Sequence, residues 1–446
     1  MASAPQAHAE RELRARFGVP GSVKLGVNDW GWLRVLAAGY GDELEQHGYF
    51  FIGARELEEI SGRQPRLMAK HDFSTSRPWI FQRLRLGIMP VSRSEYLVGR
   101  FNLYERFPEA QRGEVRTLEL PAGLDTLSME GVSSEAVALN GASASGMLED
   151  FLGCGPLQAT VAGRMSTREL QVRLPDLGVN VAVDRAQMEI DGGFESLEHL
   201  VLVEAKNHLS DDFNIRQLYF PYRRFQQRLA KDVVPVYLVY SNGIFHLYRY
   251  AFRDPADFRS IALVDSARYT LSASHLNAQA ALDIVRAVEP EAEPAVPFPQ
   301  ANSFERVVNL LELIALQPLC RAEITQRYDF DPRQADYYAN AARYLGLAQL
   351  TDEAWEPTER GRRVIEQPQR DARNAALIRS LAARRVFREV LELSLARGAA
   401  ASTAEIVAAM EGLGLSLATS QRRASTVARW TQWVLDTVAE GTPRLF

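Results

Sequence analysis

The sequence predicts a mixed α+β protein with several domains, and three observations support this prediction. The length of 446 residues suggests roughly two to four domains. Residues 181–225 have the apolar alternation of two strands joined by a turn, followed by a helix. After an acidic, proline-rich stretch at 289–303, apolar residues recur at helical spacing towards the end of the chain.

Composition and charge narrow the classes of protein to consider. The chain has no apolar run long enough for a membrane span, and its first residues lack an apolar signal core, so we expect a cytoplasmic protein. Its two cysteines, Cys154 and Cys320, are far apart, which excludes a disulfide scaffold and a structural zinc site. The net charge of −5 argues weakly against bulk affinity for nucleic acid, although local positive charge can still bind it.

Acidic side chains end both predicted strands of the central stretch. Gln187, Glu189 and Asp191 alternate with apolar residues and therefore share one strand face. We expect Asp191-Gly192-Gly193 to break this strand, since glycine supplies the backbone freedom that a turn needs. The next strand, 200–203, is apolar on both faces and ends in Glu204-Ala205-Lys206. Pairing of the two strands is expected to bring Asp191 beside Glu204.

This arrangement has a chemical interpretation and a plain alternative. Two neighbouring carboxylates repel and favour a divalent cation between them, and hard oxygen ligands suit Mg²⁺. A lysine beside such an ion can orient a water and stabilise charge on a phosphate, as metal-assisted hydrolysis of a phosphodiester requires. The alternative is that Glu204 and Lys206 are an ordinary solvated strand end.

Asp191 followed by Glu204-Ala205-Lys206 resembles the signature of the PD-(D/E)xK nuclease superfamily, and Ile190 stands where the family name has proline. The resemblance implies a restriction-endonuclease-like α/β core, placed at 131–288. It implies that Asp191, Glu204 and the backbone carbonyl of Ala205 hold Mg²⁺ and that Lys206 positions the attacking water. Glu189 is expected to bind a second ion or brace the first. Gln217, near the start of the following helix, matches an accessory glutamine of related nucleases or is a surface residue.

The N-terminal region, 1–130, is predicted to be a basic α/β unit that contacts DNA. The segment from Gly62 to Arg106 contains nine basic and three acidic residues, which gives a local charge of +6. Arginine suits contact with phosphates and guanine edges. Residues 61–72 also resemble an N-terminal segment of certain type II restriction endonucleases, with Arg63, Arg66 and Lys70 as candidate DNA contacts; the alternative is a solvated basic surface.

The C-terminal part is predicted to follow a linker at 289–303 and to hold two helical units, at 304–369 and 370–446. The first has the winged-helix order, and its third helix opens at Asp331-Pro332. Winged helices also mediate protein contacts, so this motif alone is weak evidence for DNA binding. The long helix near Leu417 carries an arginine pair near its amino end. The candidate DNA contacts on these two helices are Arg333, Gln334, Tyr337, Tyr338, Asn340, Arg422 and Arg423.

Taken together, the chain resembles a type II restriction endonuclease. This resemblance implies Mg²⁺-dependent cutting of double-stranded DNA to leave 5′-phosphates, a homodimer at least on DNA, and a cognate DNA methyltransferase as functional partner. Three alternatives stay open: a modification-dependent endonuclease that requires 5-methylcytosine, a repair or recombination nuclease, and a DNA-binding regulator without catalysis.

Overall fold

The computed structural model of the chain describes residues 4–108, 114–127, 129, 134–330 and 332–441. It is a mixed α/β, multi-domain structure in which a seven-stranded sheet follows a small N-terminal region and precedes a largely helical C-terminal region.

The N-terminal region packs helices against a three-stranded antiparallel sheet of order β1-β3-β2. The sequence predicts one helix from Asn28 to Gln46, but a π-helical turn at Leu36–Tyr40 interrupts it, with Gly39 at φ +119°. Trp32 is fully buried in the core. The elements are α1 (Ala4–Arg16), α2 (Val27–Val35), α3 (Gly41–His47), β1 (Tyr49–Gly53), α4 (Ala54–Ser61), α5 (Pro65–Ala69), α6 (Trp79–Leu84), β2 (Gly87–Pro90) and β3 (Glu95–Gly99).

The central region is built on a mixed sheet of order β5-β14-β13-β12-β10-β9-β6. Strand β10 is parallel to β12 and β14 is parallel to β5, whereas the other pairs are antiparallel. The elements are β4 (Tyr104–Arg106), β5 (Val115–Thr117), α7 (Glu135–Ala144), α8 (Met147–Leu152), β6 (Gln158–Ser166), β7 (Leu170–Leu174), β8 (Val179–Val183), β9 (Gln187–Glu195), β10 (His199–Lys206), β11 (Asp212–Asn214), α9 (Arg216–Gln226), β12 (Asp232–Ser241), β13 (Ile244–Phe252) and β14 (Ile261–Thr270).

The two faces of this sheet are covered by different elements. Helices α7 and α8 pack on the face that carries Val201, Val203 and Ala205 of β10. Helix α9 and the hairpin β7–β8 pack on the opposite face, with Leu200 and Leu202. Because successive side chains of a strand point to opposite faces, Glu204 and Lys206 project on the α9 side.

The C-terminal region, from α10 onward, shares one apolar core. From α11 to β17 the described elements run helix, short strand, helix, helix and antiparallel hairpin, and Asp331 lies outside the described residues. The elements are α10 (Ala278–Ala287), α11 (Phe304–Leu316), β15 (Leu319–Cys320), α12 (Arg321–Arg327), α13 (Pro332–Tyr344), β16 (Ala348–Thr351), β17 (Ala354–Pro357), α14 (Glu359–Ile365), α15 (Arg370–Ala382), α16 (Arg385–Arg397), α17 (Thr403–Ala409) and α18 (Leu417–Glu440).

The stretch 289–303, predicted as a linker, has no helix or strand but packs along this C-terminal core. Phe298 is 9% exposed and lies parallel to the ring of Phe387 at 5.9 Å between centroids. The indole N–H of Trp430 donates to the Ala301 carbonyl at 2.8 Å. The stretch is therefore held along its length, unlike a free spacer. Helix α10, which the sequence places with the sheet, also contributes to this core.

Candidate active site

Strand β9 carries the first acidic residue, and its glycines have a different role from the one expected. The prediction that Asp191-Gly192-Gly193 breaks the strand is wrong, because β9 runs on to Glu195 and the turn lies at 196–198. A Cβ on Gly192 would meet Leu139 of α7 at 2.8 Å, and one on Gly193 would meet Val161 of β6 at 2.9 Å. The glycines thus allow α7 and β6 to approach the strand closely.

The predicted acid–acid–lysine set meets at the end of β10. The Lys206 ammonium donates to Glu204 Oε1 at 2.6 Å and to the Ala205 carbonyl at 2.9 Å, and it lies 3.8 Å from Asp191 Oδ2. The same Asp191 oxygen accepts the Ala205 N–H at 2.8 Å. The two carboxylates and the Ala205 carbonyl, which are the groups predicted to hold the metal, therefore lie around the nitrogen of the Lys206 side chain.

Helix α9 adds Gln217, whose Nε2 donates to Glu204 Oε1 at 2.6 Å. Gln217 is thus part of the site and not a free surface residue. Glu189 lies further out, with a side chain that is 60% exposed and 3.6 Å from Arg164. It lines the same small cavity as Glu204 and Gln217. The structure therefore brings Gln217 into contact with the set and leaves Glu189 at its rim.

Burial and charge shift the titration of this cluster. Burial raises the pKa of Glu204 to about 7; Lys206 opposes the rise, and the carboxylates of Asp191 and Asp72 add to it. Burial favours the neutral form of Lys206, but the carboxylates of Glu204, Glu135 and Asp191 outweigh it and, with Tyr237, hold its pKa well above the ordinary value. Lys206 is therefore a charged donor throughout the physiological range.

Three side chains near the site were not predicted. Glu135, in the first turn of α7, accepts the Asn207 N–H, and burial raises its pKa. Asp72 of the N-terminal region lies close enough to act on Glu204. Tyr237 is fully buried on the strand beside Glu204, and its hydroxyl has no hydrogen-bond partner among the described residues. In the sequence, Glu135 resembles any acid that follows a serine N-cap, so no local pattern distinguishes it.

The donors at the site fit a hard cation with few protein ligands. The described parts of the chain contain no group of three His, Cys, Asp or Glu side chains placed to hold a metal ion. Two carboxylates and a carbonyl fit Mg²⁺, which keeps several waters and takes one or two carboxylates from the protein. Asp191, Glu204 and Ala205 are the residues that would hold it.

The predicted DNA contacts of the N-terminal region differ in exposure. Arg66 is exposed, whereas Arg63 is partly buried, with its guanidinium 3.4 Å from Asn28 Oδ1. Lys70 has a side chain that is 72% exposed and pairs with Asp72 at 3.4 Å. Since Asp72 acts on Glu204, Lys70 stands at the edge of the acidic cluster.

The predicted contacts of the C-terminal region include two that the structure places in the interior. Tyr338 is 7% exposed and Arg423 is 9% exposed, so the structure places these two predicted DNA contacts inside the protein. Both lie on the inward faces of helices whose apolar residues form the core. Asn340 is partly buried and donates to the Asp336 carbonyl of its own helix. Arg333, Tyr337 and Arg422 are exposed and Gln334 is partly exposed.

In comparisons with known proteins, three family models match the chain, and all three describe domains of unknown function. A domain of unknown function (DUF6996) matches residues 29–98, another (DUF6997) matches 99–270, and a third (DUF7226) matches 306–439. No curated protein and no solved structure matches the chain. Within the described residues, no helix combines the length and apolar character needed to cross a membrane. The second match contains Asp191, Glu204 and Lys206.

Proposed function

We propose that the chain is a Mg²⁺-dependent endonuclease of the PD-(D/E)xK type that cuts double-stranded DNA, as a type II restriction endonuclease does. One observation carries the proposal: Glu204 Oε1, the Ala205 carbonyl and Asp191 Oδ2 all lie within 3.8 Å of the Lys206 ammonium. Burying such a set of charged groups at the end of a sheet strand costs free energy, and clusters of this kind are concentrated at functional sites.

When bound, Mg²⁺ would supply positive charge to a phosphate and lower the pKa of a water. Asp191, Glu204 and the Ala205 carbonyl would hold it. In the hydrolysis, a water oxygen bonds to phosphorus while the bond to the 3′ oxygen breaks, which leaves a 5′-phosphate and a 3′-hydroxyl. The attacking water gives up one proton to solvent or to a phosphate oxygen, and the leaving 3′ oxygen takes up one proton from solvent.

The residues of the chain have separate roles in this proposal. The carboxylates around Lys206 hold its pKa well above the ordinary value, and the ammonium donates hydrogen bonds to the attacking water or to a phosphate oxygen. Gln217 fixes the Glu204 carboxylate through its 2.6 Å hydrogen bond. Glu189, at the rim of the cavity, would brace a hydrated ion.

Positive charge on both flanking regions supports a DNA ligand. Arg66 and Lys70 are exposed in the N-terminal region, and Arg333 and Arg422 are exposed on the C-terminal helices α13 and α18. Phosphate contacts of this kind make binding fall steeply with salt.

Plasmid digestion with Mg²⁺ or with EDTA tests the proposal directly. We expect discrete fragments with Mg²⁺ and intact plasmid with EDTA, on DNA prepared both with and without cytosine methylation. Cleavage confined to methylated plasmid would assign the modification-dependent class. Duplex binding without cleavage under any of these conditions would leave a DNA-binding regulator.

The pH dependence of cation binding gives a second prediction. A carboxyl with a pKa raised to about 7 contributes stability below its unfolded value and loses it as pH rises through 7, when the buried charge forms. Cation binding needs that charge, so Ca²⁺ affinity should fall by about tenfold for each pH unit below 7. Calorimetric titration of Ca²⁺ at pH 5.5, 6.5 and 8 measures this. If the Ca²⁺ affinity of the unaltered chain changed with pH no more than that of Glu204→Gln, the prediction would be contradicted.

The arginine pair on α18 gives a third prediction through a matched comparison. Arg422 is exposed and its neighbour Arg423 is 9% exposed. Arg422→Ala should weaken duplex affinity by about 1–3 kcal/mol, with a smaller salt slope if the contact is to phosphate. Arg423→Ala should instead lower thermal stability. Fluorescence anisotropy at several salt concentrations, together with melting curves, separates the two effects. Equal loss of affinity in both variants would remove α18 from the DNA interface.

A further inference from the structure

Residues 207–211, which we call the strand-exit loop, directly follow Lys206 and are held by the C-terminal region. The loop links β10 to β11, and β11 pairs with β4. The pairing of β10 with β12 holds Ala205 and Lys206 on one side, and the loop holds the same backbone where it leaves the strand, next to the Ala205 carbonyl and the root of the lysine side chain. Groups that hold the loop therefore act on the candidate site.

Asn309 of helix α11 binds the backbone of this loop at two points. Its Oδ1 accepts the Leu209 N–H at 2.9 Å, and its Nδ2 donates to the Asn207 carbonyl at 3.0 Å. The side chain thus pairs with alternate residues of the loop as a neighbouring strand would. Asn309 is fully buried, so both hydrogen bonds would be costly to lose.

Asp329 holds the other end of the loop and joins it to the N-terminal region. One carboxylate oxygen accepts the Asp211 N–H, and the other accepts the hydroxyl of Thr75. Arg306 of α11 also pairs with Asp211 at 3.1 Å and donates to the Asp329 carbonyl. Asp329 is fully buried.

The middle of the loop is packed as firmly as its ends. His208 is 5% exposed, and its ring lies edge-on to Phe73 of the N-terminal region at 5.1 Å and to Tyr328 of the C-terminal region at 5.2 Å. Burial lowers the pKa of His208 to about 3, so the ring is neutral and acts as a packing group. The loop is thus fixed between two regions that lie outside the sheet.

We propose that Asn309 and Asp329 are positioning residues for the Ala205–Lys206 end of strand β10, so that the C-terminal region completes the active site. This inference rests on the proposed function. A shift of about 1 Å in a catalytic group can lower a rate a hundredfold, and loss of an outer hydrogen-bond partner typically lowers metal affinity 10–100-fold. The C-terminal region would then be required for cutting as well as for DNA binding.

The test uses the full chain with Asn309→Ala, Asp329→Asn and Thr75→Val. Asn374→Ala is the matched control, because Asn374 is fully buried and accepts the Asn242 side-chain N–H at 3.1 Å, where the same two regions meet away from the loop. The measurements are Ca²⁺ affinity by calorimetry, single-turnover cleavage, duplex affinity, melting temperature, and hydrogen exchange of the Leu209 and Asp211 amides.

We expect faster exchange of these amides in Asn309→Ala and Asp329→Asn, at least tenfold weaker Ca²⁺ binding, and about a hundredfold slower cleavage, with duplex affinity within twofold of the unaltered chain. Thr75→Val should show smaller changes of the same kind. The control should lose melting temperature but keep its Ca²⁺ affinity. If the loop exchanges faster while Ca²⁺ affinity and cleavage stay unchanged, the positioning role is overturned and the proposed function stands. If the unaltered chain neither binds Ca²⁺ nor cleaves DNA, both are overturned.

Discussion

Lys206→Ala and Asp191→Ala should each reduce DNA cleavage by about 10³-fold or more while duplex binding is retained. Removal of a single preorganised hydrogen-bond donor to charge that develops in a transition state costs about 10²–10³ in rate. The Lys206 ammonium also pairs with two carboxylates, at 2.6 Å from Glu204 and 3.8 Å from Asp191. Loss of Lys206 therefore removes a hydrogen-bond donor and also one positive charge beside the ion. The measurement is single-turnover cleavage with Mg²⁺, beside duplex binding measured with Ca²⁺.

Lys231→Ala is the matched control for this experiment. Lys231 pairs with Glu195 at 2.8 Å, at the opposite end of the same strand pair, and its side chain is 32% exposed. Lys231 precedes β12, so its replacement removes the same charge from beside the β9–β10 hairpin without touching the site. Full cleavage by Lys206→Ala, or equal loss in Lys231→Ala, would refute the assignment of the cluster. Loss of DNA binding together with cleavage would indicate a folding defect, which melting curves would reveal.

Arg373→Ala should destabilise the protein by about 3–5 kcal/mol, because it leaves the Glu312 carboxylate buried without its cation. The two side chains are 5% and 7% exposed and 3.1 Å apart. Glu312 also accepts the Ser241 hydroxyl at 2.8 Å and the Asn242 N–H at 3.0 Å, and so joins the C-terminal region to the turn between β12 and β13. Loss of Arg373 should therefore loosen the sheet from the helices.

Denaturant unfolding and hydrogen exchange at the Asn242 amide measure this effect. Arg363→Ala is a suitable control, because Arg363 pairs with Glu359 one helical turn away and both side chains are 72% exposed. Such exposed pairs contribute less than about 1 kcal/mol. A loss in Arg373→Ala as small as in the control would show that the buried pair does not hold the two regions together.

Local patterns were sufficient to predict the strands that carry the site. Alternation around Met188 and Ile190 predicted β9, and the apolar run before Glu204 predicted β10, because both patterns report which faces of a strand are buried. The sequence predicts a turn at Gly192, but the glycine lies inside β9. It is needed there because a larger residue would collide with Leu139, which is far away in the sequence.

Side chains on helices were harder to assign. Tyr337 and Tyr338 are adjacent on α13, yet the first is 39% exposed and the second 7%. Tyr338 packs in the C-terminal core against Phe330, and the guanidinium of Arg306 in α11 lies 5.5 Å from its ring. Glu135 lies near the site because α7 begins next to the end of strand β10. Contacts of this kind between distant segments leave no mark in a single sequence.

The packing of residues 289–303 has a consequence for the ends of the products. Phe298 and the Ala301 carbonyl anchor this stretch to the helical core, and the buried Glu312–Arg373 pair fixes that core to the sheet. A nuclease on a loose tether would sever DNA at scattered distances from the bases it recognises. If the chain is the endonuclease proposed above, this bracing would fix one distance between the C-terminal helices and the cleavage site, so its fragments should share a uniform terminus.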